Sequence, residues 1–216
     1  SGLNLPNGVA CRDDRLYIAL NDRIVMWPGP ADSEAGARLN PLADVLTGLP
    51  RKSHHGSRYA KFGPDGKLYV AIGSPCNICE PKGMEGTIIR MDPDGKNVET
   101  VATGVRNSVG FDWHPSTGVL YFTDNGADGM GDDIPPDELN KVEGIGGFYG
   151  FPYLGGANVK LAGFEDKTPP GTPIAPVIAF GAHTANLGIH FYDGDMFPAD
   201  YKGDAFVAQH LSLIHI

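Results

Sequence analysis

The sequence predicts an all-β fold built as a β-propeller. Three observations predict it: a strand motif that recurs at equal intervals, a density of turn-forming residues, and no helical pattern alternating with the strands. The motif is Arg15-Leu16-Tyr17-Ile18-Ala19, Lys67-Leu68-Tyr69-Val70-Ala71 and Val119-Leu120-Tyr121-Phe122-Thr123, with its tyrosines 52 residues apart in both intervals. A period of that length accommodates one four-stranded blade. Thirty glycines and 18 prolines in 216 residues are well above ordinary usage and mark many short elements joined by turns.

Each element has a local reason. The second and third motif strands follow Gly63-Pro64-Asp65-Gly66 and His114-Pro115-Ser116-Thr117-Gly118, whose Pro and Gly set the φ values of a tight hairpin. Arg23-Ile24-Val25-Met26-Trp27 and Thr87-Ile88-Ile89-Arg90-Met91 are β-rich runs predicted as the next strands of their blades. A weaker fourth copy is Asp204-Ala205-Phe206-Val207-Ala208. The interval from Tyr121 to Phe206 is longer than one repeat, so one blade carries an insertion, expected to be mostly loop. The glycine-rich, acidic stretch from Asp124 to Gly156 is where function is expected to concentrate.

Composition excludes several classes. A hydrophobic fraction of 41% supports a core and excludes disorder. No apolar run approaches the roughly 20 residues of a membrane-spanning helix. The net charge of −9, with no basic cluster, argues against nucleic acid or an anionic membrane surface as partner. Small neutral molecules and cations fit better.

Four groups could carry chemistry. His54-His55 precede the second hairpin, in the loop entering that blade. If the segment is extended, at most one of the two faces a substrate; a neutral imidazole there could take a hydroxyl proton. Arg106-Asn107 occupy the equivalent loop one blade later, so His55 and Arg106 are expected to converge. The guanidinium would either grip a carboxylate or quinone oxygen or tie neighbouring blades through carbonyls. Asp124 to Asn140, containing Asp137 and Glu138, offers carboxylates and loop carbonyls for a hard cation such as calcium, or is a solvated acidic loop. Cys76 and Cys79, without a second cysteine pair, are expected to form a local disulfide. Cys11 is expected in the core.

Taken together, these segments resemble the soluble quinoprotein glucose and sorbosone dehydrogenase family, most of all its sorbosone dehydrogenase branch. The carriers are His55-Gly56, Phe62 to Val70, Ala71 to Pro81, Gly104 to Trp113, Asp137 to Asn140, Tyr149 to Pro152 and Phe191 to Pro198. The resemblance implies a six-bladed propeller holding pyrroloquinoline quinone and calcium and oxidising a sugar or sugar aldehyde. His55 is implied as the base, with His54 next in line. Arg106 and Asn107 are implied as cofactor contacts beside His54 and Asn125. Asn125, Gly126 and Ala127 match the segment whose main-chain carbonyls hold the active-site calcium; Glu138 and Tyr149 match a second, structural calcium site, with Asp137 beside them. The resemblance further implies an external electron acceptor such as a cytochrome, and a periplasmic or secreted location.

There are departures. Val109 and Asn125 stand where relatives carry Gln, and after His210 the family continues with Gly-Ser-Trp and further blades. Residues 1–210 are therefore expected to be a partial propeller of about four blades, poorly soluble or oligomeric and weak in binding the quinone. Residues 211–216 read as an atypical tail left by truncation. Two other functions are compatible with a calcium-bearing propeller: a lactonase using metal-bound water, and a non-catalytic binding module.

Overall fold

The structure, a computed structural model, describes residues 2–29 and 41–210; the tail at 211–216 lies outside them. Strands β1 (Gly8–Arg12), β2 (Arg15–Ala19), β3 (Arg23–Trp27) and β4 (Ala43–Thr47) form the first sheet as an antiparallel meander. The second sheet repeats the pattern with β5 (Ala60–Phe62), β6 (Leu68–Ile72), β7 (Thr87–Met91) and β8 (Glu99–Thr103). The third begins with β9 (Phe111–Trp113), β10 (Leu120–Asp124) and β11 (Glu138–Lys141). The chain then supplies β12 (Gly147–Phe148), which joins the second sheet parallel to β8, and the hairpin of β13 (Leu154–Gly155) and β14 (Val159–Lys160). It returns as β15 (Ile178–Ala179), which completes the third sheet beside β11. Strands β16 (Asn186–Phe191) and β17 (Ala205–Gln209) form a fourth sheet.

The expected all-β propeller architecture is thus present, and each Tyr of the repeat lies in the second strand of its blade. The insertion falls between the third and fourth strands of the third blade. Glu138–Lys141, expected as loop, is the third strand of that blade; its polar residues hide it from a hydrophobicity reading. Cys11, expected in the core, is exposed on β1: alternation puts its neighbour Ala10, not Cys11, on the buried face.

Alternation also explains why β6 is buried at all five positions. Leu68, Val70 and Ile72 face the first sheet, packing with Tyr17, Ala19 and Ile24. Tyr69 and Ala71 face the third, packing with Phe111, Leu120 and Phe122. A strand covered on both faces must be apolar throughout.

The repeated tyrosines make one contact three times. Tyr17 packs edge-on against Phe62 of β5 at 5.0 Å between ring centroids, Tyr69 against Trp113 of β9 at 4.9 Å, and Tyr121 against Phe191 of β16 at 5.2 Å. In each case the second strand of one blade meets the last residue of the first strand of the next, in the geometry aromatic quadrupoles favour. Asp112 adds a polar tie: it accepts from Lys61 Nζ of β5 at 2.6 Å and, through its other oxygen, from His190 Nδ1 and the Phe191 amide of β16, both at 3.0 Å.

Replacing Tyr69 with Ala removes both the ring contact and the filling of a buried site, so a loss of about 3–5 kcal/mol is expected by denaturant unfolding. Tyr69→Phe, which keeps the ring but drops the hydroxyl bonds to Asp65 and Arg90, should cost about 1 kcal/mol. Burial alone would raise the Asp112 pKa, but the bonds from Lys61, Phe191 and Trp113 outweigh it and hold the carboxyl below its usual value. A lowered folded-state pKa stabilises above the unfolded carboxyl's value and is lost as pH falls through the folded one. The melting temperature should therefore drop more steeply with acidification for the native protein than for Asp112→Asn.

Candidate active site

The blade packing brings the loops that enter the second, third and fourth sheets to one place. His55, Arg106, Asn107, Asn125, Asp137 and His183 all line a single cleft of about 310 Å³. His54 does not line it; it is exposed and its ring lies 4.0 Å from that of His55. The pair sits in a turn rather than an extended segment, so side alternation does not govern it: His55 has φ +48°.

The His55 ring is fixed in one protonation pattern. Nδ1 lies 3.1 Å from both the carbonyl oxygen and the hydroxyl of Ser74. That hydroxyl spends its only proton on the Cys76 carbonyl at 2.8 Å, so both Ser74 oxygens act as acceptors and Nδ1 must be the donor. Nε2 is left with a lone pair, which is what a proton acceptor needs. Burial first, then the positive field of Arg106 and the neighbouring His54, pushes the imidazole pKa down to about 3, so the ring is neutral near neutral pH.

Arg106 is buried and heavily bonded. Its Nε donates to the Asn77 carbonyl at 2.9 Å, Nη1 to the Asn125 carbonyl at 3.1 Å, and Nη2 to Asn77 Oδ1 and Asp128 at 2.7 and 3.1 Å. It ties the Cys76–Cys79 loop of one blade to the loop after β10 of the next, while still lining the cleft. The expected disulfide between Cys76 and Cys79 is formed and closes the loop carrying Asn77. Asp124 sets the backbone of the pair: its carboxylate accepts from the Arg106 amide at 2.8 Å and the Asn107 amide at 2.6 Å.

A small void of about 10 Å³ adjoins the cleft, walled by Asp124, Asn125, Gly126, Ala127, Glu138 and Tyr149. That is about the room one water or one small ion needs. Glu138 accepts from the Asn140 side chain and the Gly156 amide. Burial, reinforced for Glu138 by Asp124, raises the pKa of both carboxyls. Asp137 is committed on both oxygens, to the Gly126 amide and the Thr184 hydroxyl. The Tyr149 hydroxyl donates to the Lys141 carbonyl at 3.0 Å. Among the described residues no group of three His, Cys, Asp or Glu is arranged as a metal cluster.

Ser74, Asn77 and His183 are members that sequence reasoning missed as site residues, and Asp124, expected only within the acidic cation loop, turns out to brace Arg106 and Asn107. Ser74 and Asp124 end or follow the second strand of a blade, the place in the repeat from which His55 and Arg106 are braced. That repeat position was a usable signal. His183 was not signalled; its Nε2 lies 2.8 Å from the Gly131 carbonyl.

Comparison with known proteins agrees with this fold. The chain belongs to the glucose/sorbosone dehydrogenase family, whose model matches residues 21–214. It is 40% identical over 218 residues to an uncharacterised protein of Borreliella burgdorferi, covering 96% of this chain and 57% of that protein. The calcium structure of a Trichoderma reesei carbohydrate-active enzyme of family AA12 superposes with a TM-score of 0.72 at 19% identity, over 86% of this chain and 58% of that one. The PQQ-bound aldose sugar dehydrogenase of Streptomyces coelicolor gives a TM-score of 0.60 at 21% identity, over 88% of this chain and 72% of that one. The chain thus spans little more than half the length of the first two. Among the described residues no helix is long and apolar enough to cross a membrane.

Gly73 lies between His55 and Asn107: a Cβ there would stand 2.5 Å from His55 Cβ and 3.3 Å from Asn107 Oδ1. Gly73→Ala should therefore cost about 1–3 kcal/mol by overpacking and displace the His55 ring, seen as a change in its NMR shifts. Unchanged His55 shifts would show that the loop yields without moving the ring.

Proposed function

We propose that the chain carries the core of a quinoprotein dehydrogenase that oxidises a sugar or sugar aldehyde, with pyrroloquinoline quinone and calcium as cofactors. The observation that carries this reading is the neutral His55 ring, its Nδ1 proton committed to Ser74, in a cleft shared with Arg106, Asn107 and Asn125. When bound, the quinone supplies the hydride acceptor. His55 Nε2 takes the hydroxyl proton of the substrate as the hydroxyl-bearing carbon gives up its hydride, and that carbon is left as a carbonyl. The lone pair is ready for this without prior deprotonation.

The residues present fit both groups. Arg106 and Asn107 would hold acidic and quinoid oxygens of the cofactor, with Asn125 beside them and His54 stacked behind the base. For calcium, the Gly126 and Ala127 carbonyls accept no hydrogen bond among the described residues, and Asn125 Oδ1 is buried without a partner. Oxygen donors left open in this way suit a hard cation. Glu138 and Tyr149, proposed for a second, structural cation, wall the same small void as Gly126 and Ala127, which has room for one ion at a time, and Asp137 would orient the Gly126 segment. A local disulfide suits an oxidising, periplasmic or secreted setting. A cytochrome or similar external acceptor would return the quinone to its oxidised form.

Reconstitution tests the reading. Added pyrroloquinoline quinone and calcium should give dye reduction with an aldose. Lactone hydrolysis without the quinone would point to a hydrolase, and binding with neither activity to a non-catalytic module. His55→Gln should lower turnover by about 10²- to 10⁴-fold while cofactor affinity changes little; turnover within about twofold of the native protein would move the base elsewhere. Calcium should raise the melting temperature by mass action, and exhaustive chelation should lower it; identical melting curves with and without calcium would remove calcium from the assignment.

A further inference from the structure

We propose that Arg58, outside the cleft, is a positioning residue that holds the His55 backbone in its left-handed turn and so fixes the ring against Ser74. This rests on the reading of His55 as the proton acceptor. The observations are local and independent of any ligand. Arg58 is fully buried, with 1% exposure, yet none of its hydrogen bonds goes to a carboxylate. Nη1 donates to the His55 carbonyl at 3.0 Å, while Nη2 donates to the Pro50 carbonyl at 2.7 Å and the Asn21 carbonyl at 3.3 Å. Its Nε is buried with no partner. A guanidinium placed so poorly for its own solvation is costly. What it gains is a fork spanning three carbonyls from three points of the chain.

The place where the fork closes is where the backbone is strained. His55 has φ +48°, a conformation that costs a non-glycine residue of order 1 kcal/mol. Something must over-determine it. The loop from Pro50 to Gly56 is held on its other side by Asn21, whose Nδ2 donates to the Lys52 carbonyl at 2.7 Å and the Gly56 carbonyl at 3.0 Å. Asn21 and Arg58 together thus grip carbonyls of Pro50, Lys52, His55 and Gly56. Gly73 leaves the room into which the His55 backbone presses. With the backbone fixed, the Nδ1 bond to Ser74 follows, and the lone pair stays on Nε2. Relaxation of His55 toward an ordinary right-handed or extended φ would swing the ring off Ser74 and release that preference.

The test reads the ring directly, in the full chain without cofactor, so it does not depend on whether His55 is the base. Nitrogen-15 histidine spectra of the native protein at neutral pH should show His55 as a single neutral tautomer protonated at Nδ1. Arg58→Met keeps length and apolar volume but removes every donor; His55 should then show the averaged shifts of an exchanging mixture, and reconstituted turnover should fall at least about tenfold with little change in KM. If Arg58→Met fails to fold, Arg58→Lys keeps the charge but gathers its donors at one point; it should show the same averaging in part. A native-like His55 signature in whichever variant folds, with only a lower melting temperature, would make Arg58 merely structural and overturn the proposal. So would a native protein whose His55 is not a single Nδ1-protonated tautomer. A preserved Arg58 effect in a protein whose His55→Gln variant stays active would instead leave the positioning intact and refute the base.

Discussion

The edge-on contact between a second-strand tyrosine and the last aromatic residue of the next blade's first strand underlies the rest of the molecule. It occurs at Tyr17–Phe62, Tyr69–Trp113 and Tyr121–Phe191, and it fixes how each sheet leans on the following one. Because each first strand is reached through a loop from the preceding blade, fixing the sheets fixes the loops. His55, Arg106 and His183 reach one cleft because they enter successive blades at the same point of the repeat, not because they are close in sequence. The hydrophobic clusters between sheets supply most of the stabilisation, while the aromatic edges and the Asp112 tie choose the orientation.

At the cleft, polar groups are arranged so that the residues at or after a blade's second strand hold the loop entering that blade and, for Asn77, the loop entering the next. Ser74, after β6, holds His55; Asn77, in the disulfide loop after the same strand, holds Arg106; Asp124, ending β10, holds the Arg106 and Asn107 amides. The loop after one second strand therefore braces the loops on both of its sides. Such bonding within and between blades is a physical reason for a stiff site in a cleft made mostly of loops.

Much of this was legible in the sequence. The equal spacing of Tyr17, Tyr69 and Tyr121 located three second strands, and two apolar runs located the third strands of the first two blades. The convergence of His55 and Arg106 followed from their nearly equal distances, 14 and 15 residues, ahead of the repeated Tyr. What was not legible has physical causes. Glu138–Lys141 forms a strand that buries Glu138 and Asn140, bonded to each other and, through Glu138, to the Gly156 amide, so no hydrophobic pattern marks it. His55 sits in a left-handed turn set by Arg58, Asn21 and Gly73, tertiary contacts that no local propensity encodes, and side alternation therefore misdescribed the His54–His55 pair. Cys11 was assigned by residue type, whereas the strand's alternation decided its face. Arg106 could be read as cofactor contact or interblade tie; its bonds to Asn77, Asn125 and Asp128 make it the tie, and its place in the cleft leaves the contact open to it.

Convergence of the blade-entry loops on one cofactor-binding cleft is the claim on which the functional reading stands. The most direct measurement is a titration of the isotope-labelled chain with pyrroloquinoline quinone in the presence of calcium, followed by NMR shift changes residue by residue. The expected result is saturable change concentrated at His55, Arg106, Asn107 and Asn125 to Ala127. Change centred elsewhere, for instance on the open groove beside Asp44 and Asp92, or no saturable change at these three loops, would contradict it.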